Sequence, residues 1–110
     1  METFKIKRND TKPVLAATLQ YSTGSAVDLS GGSVFFNMAT NDTTYTAKFS
    51  GACVITGSEA GQVEYRWQAS DTARSGLYLG EFEINWGGGS IMTLPSDHGL
   101  IVHIYEDYDS

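Results

Sequence analysis

The stretch from Asp71 to Trp86 constrains this chain more than any other, because a turn signal runs directly into the longest clean period-two pattern in the sequence. Tyr78, Phe82, Ile84 and Trp86 fall on one phase, and Leu77, Leu79, Glu81, Glu83 and Asn85 on the other. Successive residues of a strand point to opposite faces, so the pattern predicts a strand with one mainly apolar face and one that turns polar toward its end. The approach, Asp71 followed by Gly76-Leu77-Tyr78, has the form of a tyrosine corner, in which a Tyr at the start of a sandwich strand returns its hydroxyl to upstream backbone. Such a segment belongs at the centre of a β-sandwich.

The rest of the chain repeats that period in shorter pieces. Phe4 and Ile6 alternate with Lys5 and Lys7, and Asn9 to Pro13 forms a turn whose proline fixes the exit. From Val14 to Tyr21, Leu15, Ala17, Leu19 and Tyr21 share one face, and a turn follows around Gly24. Val34, Phe36 and Met38 alternate with Ser33, Phe35 and Asn37 after Ser30-Gly31-Gly32. Asn41-Asp42 is a turn, Thr43 to Phe49 is rich in Thr and aromatics, and Ala52 to Ile55 is a short apolar run; the pairing of residues 43–58 stays open. Val63, Tyr65 and Trp67 face in against Gln62, Glu64 and Arg66, in a strand running to Ala69-Ser70, and a short 3₁₀ or helical turn fits Ser70 to Ser75.

Gly87-Gly88-Gly89-Ser90 predicts a hairpin into Ile91 to Leu94. The last strand alternates Leu100, Val102 and Ile104 with Ile101, His103 and Tyr105. It is apolar enough on both sides to be largely covered, and the tail from Glu106 is expected to fray into solvent. No segment sustains a 3.6-residue apolar period, so the prediction is an all-β antiparallel sandwich of about eight or nine strands.

With 110 residues, the chain predicts one domain, residues 1–110, around one core. Thirteen acidic against seven basic residues give a net charge of −6, which argues against a nucleic-acid backbone or an anionic membrane as partner. Cys53 is the single cysteine, so no internal disulfide can staple the fold. The absence of an apolar leader or long apolar run predicts a soluble protein made in a cytoplasm. Charge is polarised along the chain: Lys5, Lys7, Arg8 and Lys12 stand near the start, and Glu106, Asp107 and Asp109 at the end. Two readings stand, solvated ends or charges that orient neighbouring copies or partners.

No residue announces catalysis. Glu81 and Glu83, two apart on one strand face, stand about 7 Å from each other, a spacing that overlaps that of glycosidase carboxylates but is also where any solvated strand carries charge. His98 and His103, with Asp97 nearby, lack further ligands at a fitting spacing for a metal. Cys53 precedes Val54 and Ile55 in the setting of an inert buried thiol. Asp71, Thr72 and Ser75 are turn-formers, and Gly87 to Gly89 precede no helix, so no phosphate loop is present. Trp67, Tyr78 and Trp86 would make a sugar-stacking platform if exposed, but each sits on the apolar phase of its strand, which predicts core. The expectation is a non-enzyme with no cofactor, no metal and no catalytic residue.

Laid out this way, the chain resembles the N-terminal module of phage baseplate upper proteins and its single-domain relatives among tailed-phage virion proteins. The resemblance lies in Phe4 to Thr11, Val27 to Phe36, Gly61 to Tyr65, Asp71-Thr72 with Gly76-Leu77-Tyr78 and Glu81 to Ile84, and Thr93 to Ser96 with the closing strand. It implies an immunoglobulin-like sandwich that joins other virion proteins and carries no catalytic residues. The baseplate proteins continue into a helical and receptor-binding or scaffold portion, whereas this sequence stops at Ser110, so their multi-protein lever is expected to be missing. Gly80 stands two residues after the corner Tyr, where antibody-type domains carry a Cys.

The expected function is therefore that of a structural protein of a tailed-phage virion, assembled in the bacterial cytoplasm in multiple copies. It would dock onto tail, baseplate, neck or capsid proteins by a sheet edge or loop face, with Lys5, Lys7, Arg8, Glu106, Asp107 and Asp109 as the protein-binding candidates. The alternative is a carbohydrate-binding or host-receptor-binding module on the particle surface.

Overall fold

Side-chain alternation decides which residues the sandwich encloses, and hydrogen bonding decides the neighbours. The computed structural model describes residues 3–40, 48–94 and 100–106. Its strands are β1 (Thr3–Lys7), β2 (Leu15–Thr18), β3 (Ser33–Thr40), β4 (Lys48–Ala52), β5 (Val54–Gly57), β6 (Gln62–Tyr65), β7 (Gly76–Gly87), β8 (Ser90–Leu94) and β9 (Leu100–Tyr105), with a 3₁₀ turn over Ala69–Thr72. One sheet runs β1-β9-β7-β3-β4 with β8 also on β7, and the other runs β2-β6-β5.

This is the variable-type immunoglobulin arrangement, in which four neighbouring strands G, F, C and C′ face B, E and D. β9, β7, β3 and β4 take the first set of places, and β2, β6 and β5 the second. Among the described residues every strand pair is antiparallel except β1 with β9, which is parallel and makes the larger sheet mixed where an antiparallel sandwich was expected. The first strand laid beside the last one puts β1 and β9 together at one margin of the larger sheet.

The inward phases of the two sheets meet in one core. Val34, Phe36 and Met38 of β3, Tyr78, Phe82 and Ile84 of β7, and Val102 and Ile104 of β9 are buried against Leu15, Val63, Tyr65 and Trp67. At its centre the Phe36 ring lies 5.4 Å from Tyr65, 5.8 Å from Trp67 and 5.2 Å from Phe82. A Cβ at Gly80 would stand 2.7 Å from the Phe36 ring, so Phe36 fills the space that antibody-type domains give to the second cysteine.

The described part of the open middle region resolves into two strands in different sheets. β4 pairs with β3 as far as Phe35↔Ala52, the Cys53 N–H donates to the Val34 carbonyl at 2.8 Å, and Val54 already pairs with Glu64 of β6. What reads in sequence as one apolar run is a crossing between layers at Cys53. Residues 43–47 lie outside the described residues.

Two other differences have local causes. β2 ends at Thr18, and Tyr21, expected to face in, is exposed, because the chain turns back there through Tyr21 N–H to Ser25 O and Gly24 N–H to Tyr21 O. β6 leaves its ladder at Tyr65 rather than at residues 69–70, though Trp67 keeps the inward phase. The β7–β8 hairpin forms as expected: Gly87 pairs with Ser90, and the two loop residues Gly88 and Gly89 have φ of 61° and 84°, values that suit glycine.

Candidate functional site

Of the charged residues expected to dock, the described ones lie together. Because β1 runs parallel to β9, with Lys5↔His103 and Lys7↔Tyr105, the basic start and the end of the last strand share one margin of the larger sheet. Arg8 and Glu106 meet there, the guanidinium Nε standing 3.7 Å from a carboxylate oxygen, while the Ser75 hydroxyl donates to the other carboxylate oxygen. Both side chains of the ion pair are partly solvated, so the pair contributes at most about 1 kcal/mol. Its consequence is positional: Glu106 is held against β1 and the β7 approach instead of fraying. Asp107 and Asp109 lie outside the described residues.

Lys5 is exposed and Lys7 half-buried. The Arg8 N–H donates to Tyr105 O at 2.8 Å, so by strand alternation the backbone groups of Lys5 and Thr3 point away from β9, toward the open side of the sheet. The Lys7 carbonyl accepts from the Asp10 N–H at 3.0 Å as the chain turns off the strand. Among the described residues no strand lies beyond β1.

The other polar candidates hold the fold. Asp71 caps the 3₁₀ turn by accepting from the Gln68 N–H at 2.8 Å and also accepts the Tyr65 hydroxyl. Thr72, fully buried, donates through Oγ1 to Asp10 O at 2.8 Å and ties the turn to the exit of β1. Burial pushes the Cys53 thiol up to about 12, which keeps it protonated near neutrality and removes its nucleophilic form. Glu81 and Glu83 share the outer face of β7, where their cross-strand neighbours are Asn37, Phe35 and Thr93 rather than acids or bases. His103 is half-buried, its ring 6.1 Å from that of Tyr105, and His98 and Asp97 lie outside the described residues. No group of three or more metal-ligating side chains occurs among the described residues.

The three aromatics of the sugar-platform alternative do not gather on a surface. Trp67 and Tyr78 are core residues, and Trp86 is half-buried, packed over Gly32 with Nε1 donating to Asp28 O at 3.2 Å. The Tyr78 hydroxyl donates to Arg74 O at 2.8 Å, which is the tyrosine corner expected from Gly76-Leu77-Tyr78.

What sequence reading passed over is the outer face of the larger sheet. Leu77 is 49 % exposed and Tyr105 37 %, with Leu79, Ile101 and His103 half-buried between them. The register sets them side by side, Leu77↔His103 and Leu79↔Ile101. The signal was present: β7 opens with apolar residues in both phases, and β9 is apolar in both, yet among the described residues no second layer covers the outer face. No family model matches the chain, and no curated protein matches it.

Proposed function

We propose that this chain is a non-enzymatic structural module of a tailed-phage particle, docking onto other virion proteins of the tail, baseplate, neck or head. The phage assignment rests on the resemblance of Phe4 to Thr11, Val27 to Phe36 and the Asp71 to Ile84 region to the baseplate-protein module. The docking role is carried by one observation. The conspicuous polar side chains, Asp71, Thr72, Arg8 and Glu106, are engaged in the chain's own turns and margins, while an open strand edge and an apolar sheet face are left toward solvent. Unpaired strand edges and exposed apolar faces bind protein chains rather than transform small molecules.

A peptide inventory of purified particles of the phage that encodes the chain tests the reading. The expected result is the protein at many copies per particle; its absence from intact virions would overturn the assignment. Reversing Lys5 and Lys7 to Glu, and separately removing residues 107–110, should lower the copy number if the β1 margin docks. Glu106 is kept in the second variant because its bonds to Ser75 and Arg8 belong to the fold.

A further inference from the structure

We infer that the outer face of the six-stranded sheet is a self-complementary surface that takes a second copy of this chain. The pattern comes from register alone. Thr3, Ile101 and Leu79 form one row across β1, β9 and β7. Lys5 and Lys7 stand two and four residues from that row along β1, on the side of His103 and Leu77. Glu81 and Glu83 stand two and four residues from it along β7, on the opposite side. All carry the same side-chain phase, so all project from the outer face.

With strands about 4.8 Å apart and residues about 3.4 Å apart, the Lys5 and Glu81 positions lie about 17 Å from each other, each about 8 Å from Ile101. The positive and negative pairs are therefore related by inversion through Ile101 in the plane of the sheet. A two-fold axis lying in the interface beneath Ile101 brings the lysines of one copy over the glutamates of the other, twice, because a two-fold interface repeats each contact. Leu79 and Ile101 lie in the row between the two charged flanks, and Leu77 and Tyr105 extend the apolar patch along the rows of Lys5 and Lys7, where a partner would cover it. The net charge of −6 opposes association, but that repulsion acts between separated charges and is screened beyond about 8 Å at physiological salt, whereas the Lys and Glu groups would meet in contact. The inference stands whether or not the protein is a virion component.

Sedimentation equilibrium of the purified chain tests it. The expected wild-type result is a monomer–dimer equilibrium that weakens with added salt. Lys5→Glu with Lys7→Glu makes the face acidic throughout, and Glu81→Lys with Glu83→Lys makes both flanks basic; each variant alone should lose roughly tenfold or more in dimerisation constant. Mixing the two in equal amounts should restore a dimer, since each acidic flank then meets a basic one. Leu77→Asp should give monomer in any mixture. Circular dichroism melts on every variant separate loss of pairing from loss of fold. On the wild type itself, dilution-dependent amide shifts should fall on β1, β9 and the outer phase of β7. A wild type that stays monomeric at the highest soluble concentration overturns the inference. A dimer unaffected by both reversals, or amide shifts confined to β2, β6 and β5, overturns it equally.

Discussion

Replacing Tyr78 by Phe removes one oxygen from the position where the 3₁₀ turn, the β7 approach and the core meet. The side chain is 6 % exposed, and its hydroxyl makes a 2.8 Å bond to the Arg74 carbonyl, so the ring stays packed and only that bond is lost. A neutral hydrogen bond contributes about 1 kcal/mol net, and more when its partner is left buried and unmatched. The bond is only partly buried, which lets the Arg74 carbonyl regain water, so the expected loss is about 1 to 1.5 kcal/mol rather than 3. With a urea slope of about 1.5 kcal/mol per molar, the midpoint should fall by roughly 0.7 to 1 M. An unchanged midpoint refutes the corner as a stabilising contact.

The same variant has a second readout at high pH. Burial, partly offset by the Arg74 charge, raises the Tyr78 phenol above its ordinary value of about 10, and burial followed by the hydrogen bond to and charge of Asp71 raises Tyr65. A raised folded value means the native state holds the proton more tightly than the unfolded chain. The stability it brings is complete below pH about 10 and is lost as pH rises through the folded value. Wild type should therefore lose stability as pH rises from about 9, through Cys53, and more above about 10, and Tyr78→Phe should lose it less steeply because, among the described residues, Tyr65 and Cys53 remain with this sign. An alkaline limb identical in both proteins removes Tyr78 from the account.

Trp67→Ala should cost about 3 to 5 kcal/mol by denaturation, since the indole is buried and packs on Phe4, Phe36 and Tyr65, whereas the half-buried Trp86→Ala should cost roughly half as much; equal losses would contradict the burial difference. Gly80→Ala should cost about 1 to 3 kcal/mol, because the new methyl meets the Phe36 ring at 2.7 Å in a packed core, and the loss should shrink in a Phe36→Leu background; additive effects in the double variant would show that the two sites do not share that space.

Period-two alternation was enough to assign the faces of β1, β6 and β7 from Glu81 onward, because inward and outward positions there differ in chemistry at nearly every residue. Tyr78 was legible as a corner for a related reason: its spacing from the turn and from Gly76 is local. Pairing was not legible where partners are remote. Nothing in Lys5 or Lys7 announces a parallel neighbour a hundred residues away, and so the two terminal charge clusters read as separate contacts when Arg8 and Glu106 in fact clip one margin.

The crossing at Cys53 was hidden because Ala52, Val54 and Ile55 are apolar in both sheets they serve, and alternation carries no information about which layer a residue joins. The same ambiguity explains the outer face. A strand apolar in both phases, such as β9, normally lies between two covering layers. Here the described residues supply one layer, over Val102 and Ile104, and leave Ile101, His103 and Tyr105 on the other side. β9 was expected to be covered on both faces, but the described residues leave its outer face partly open, and the inferred second copy would supply that cover. The lysines and glutamates placed symmetrically about Ile101 make another copy of the same face the partner whose charges fit.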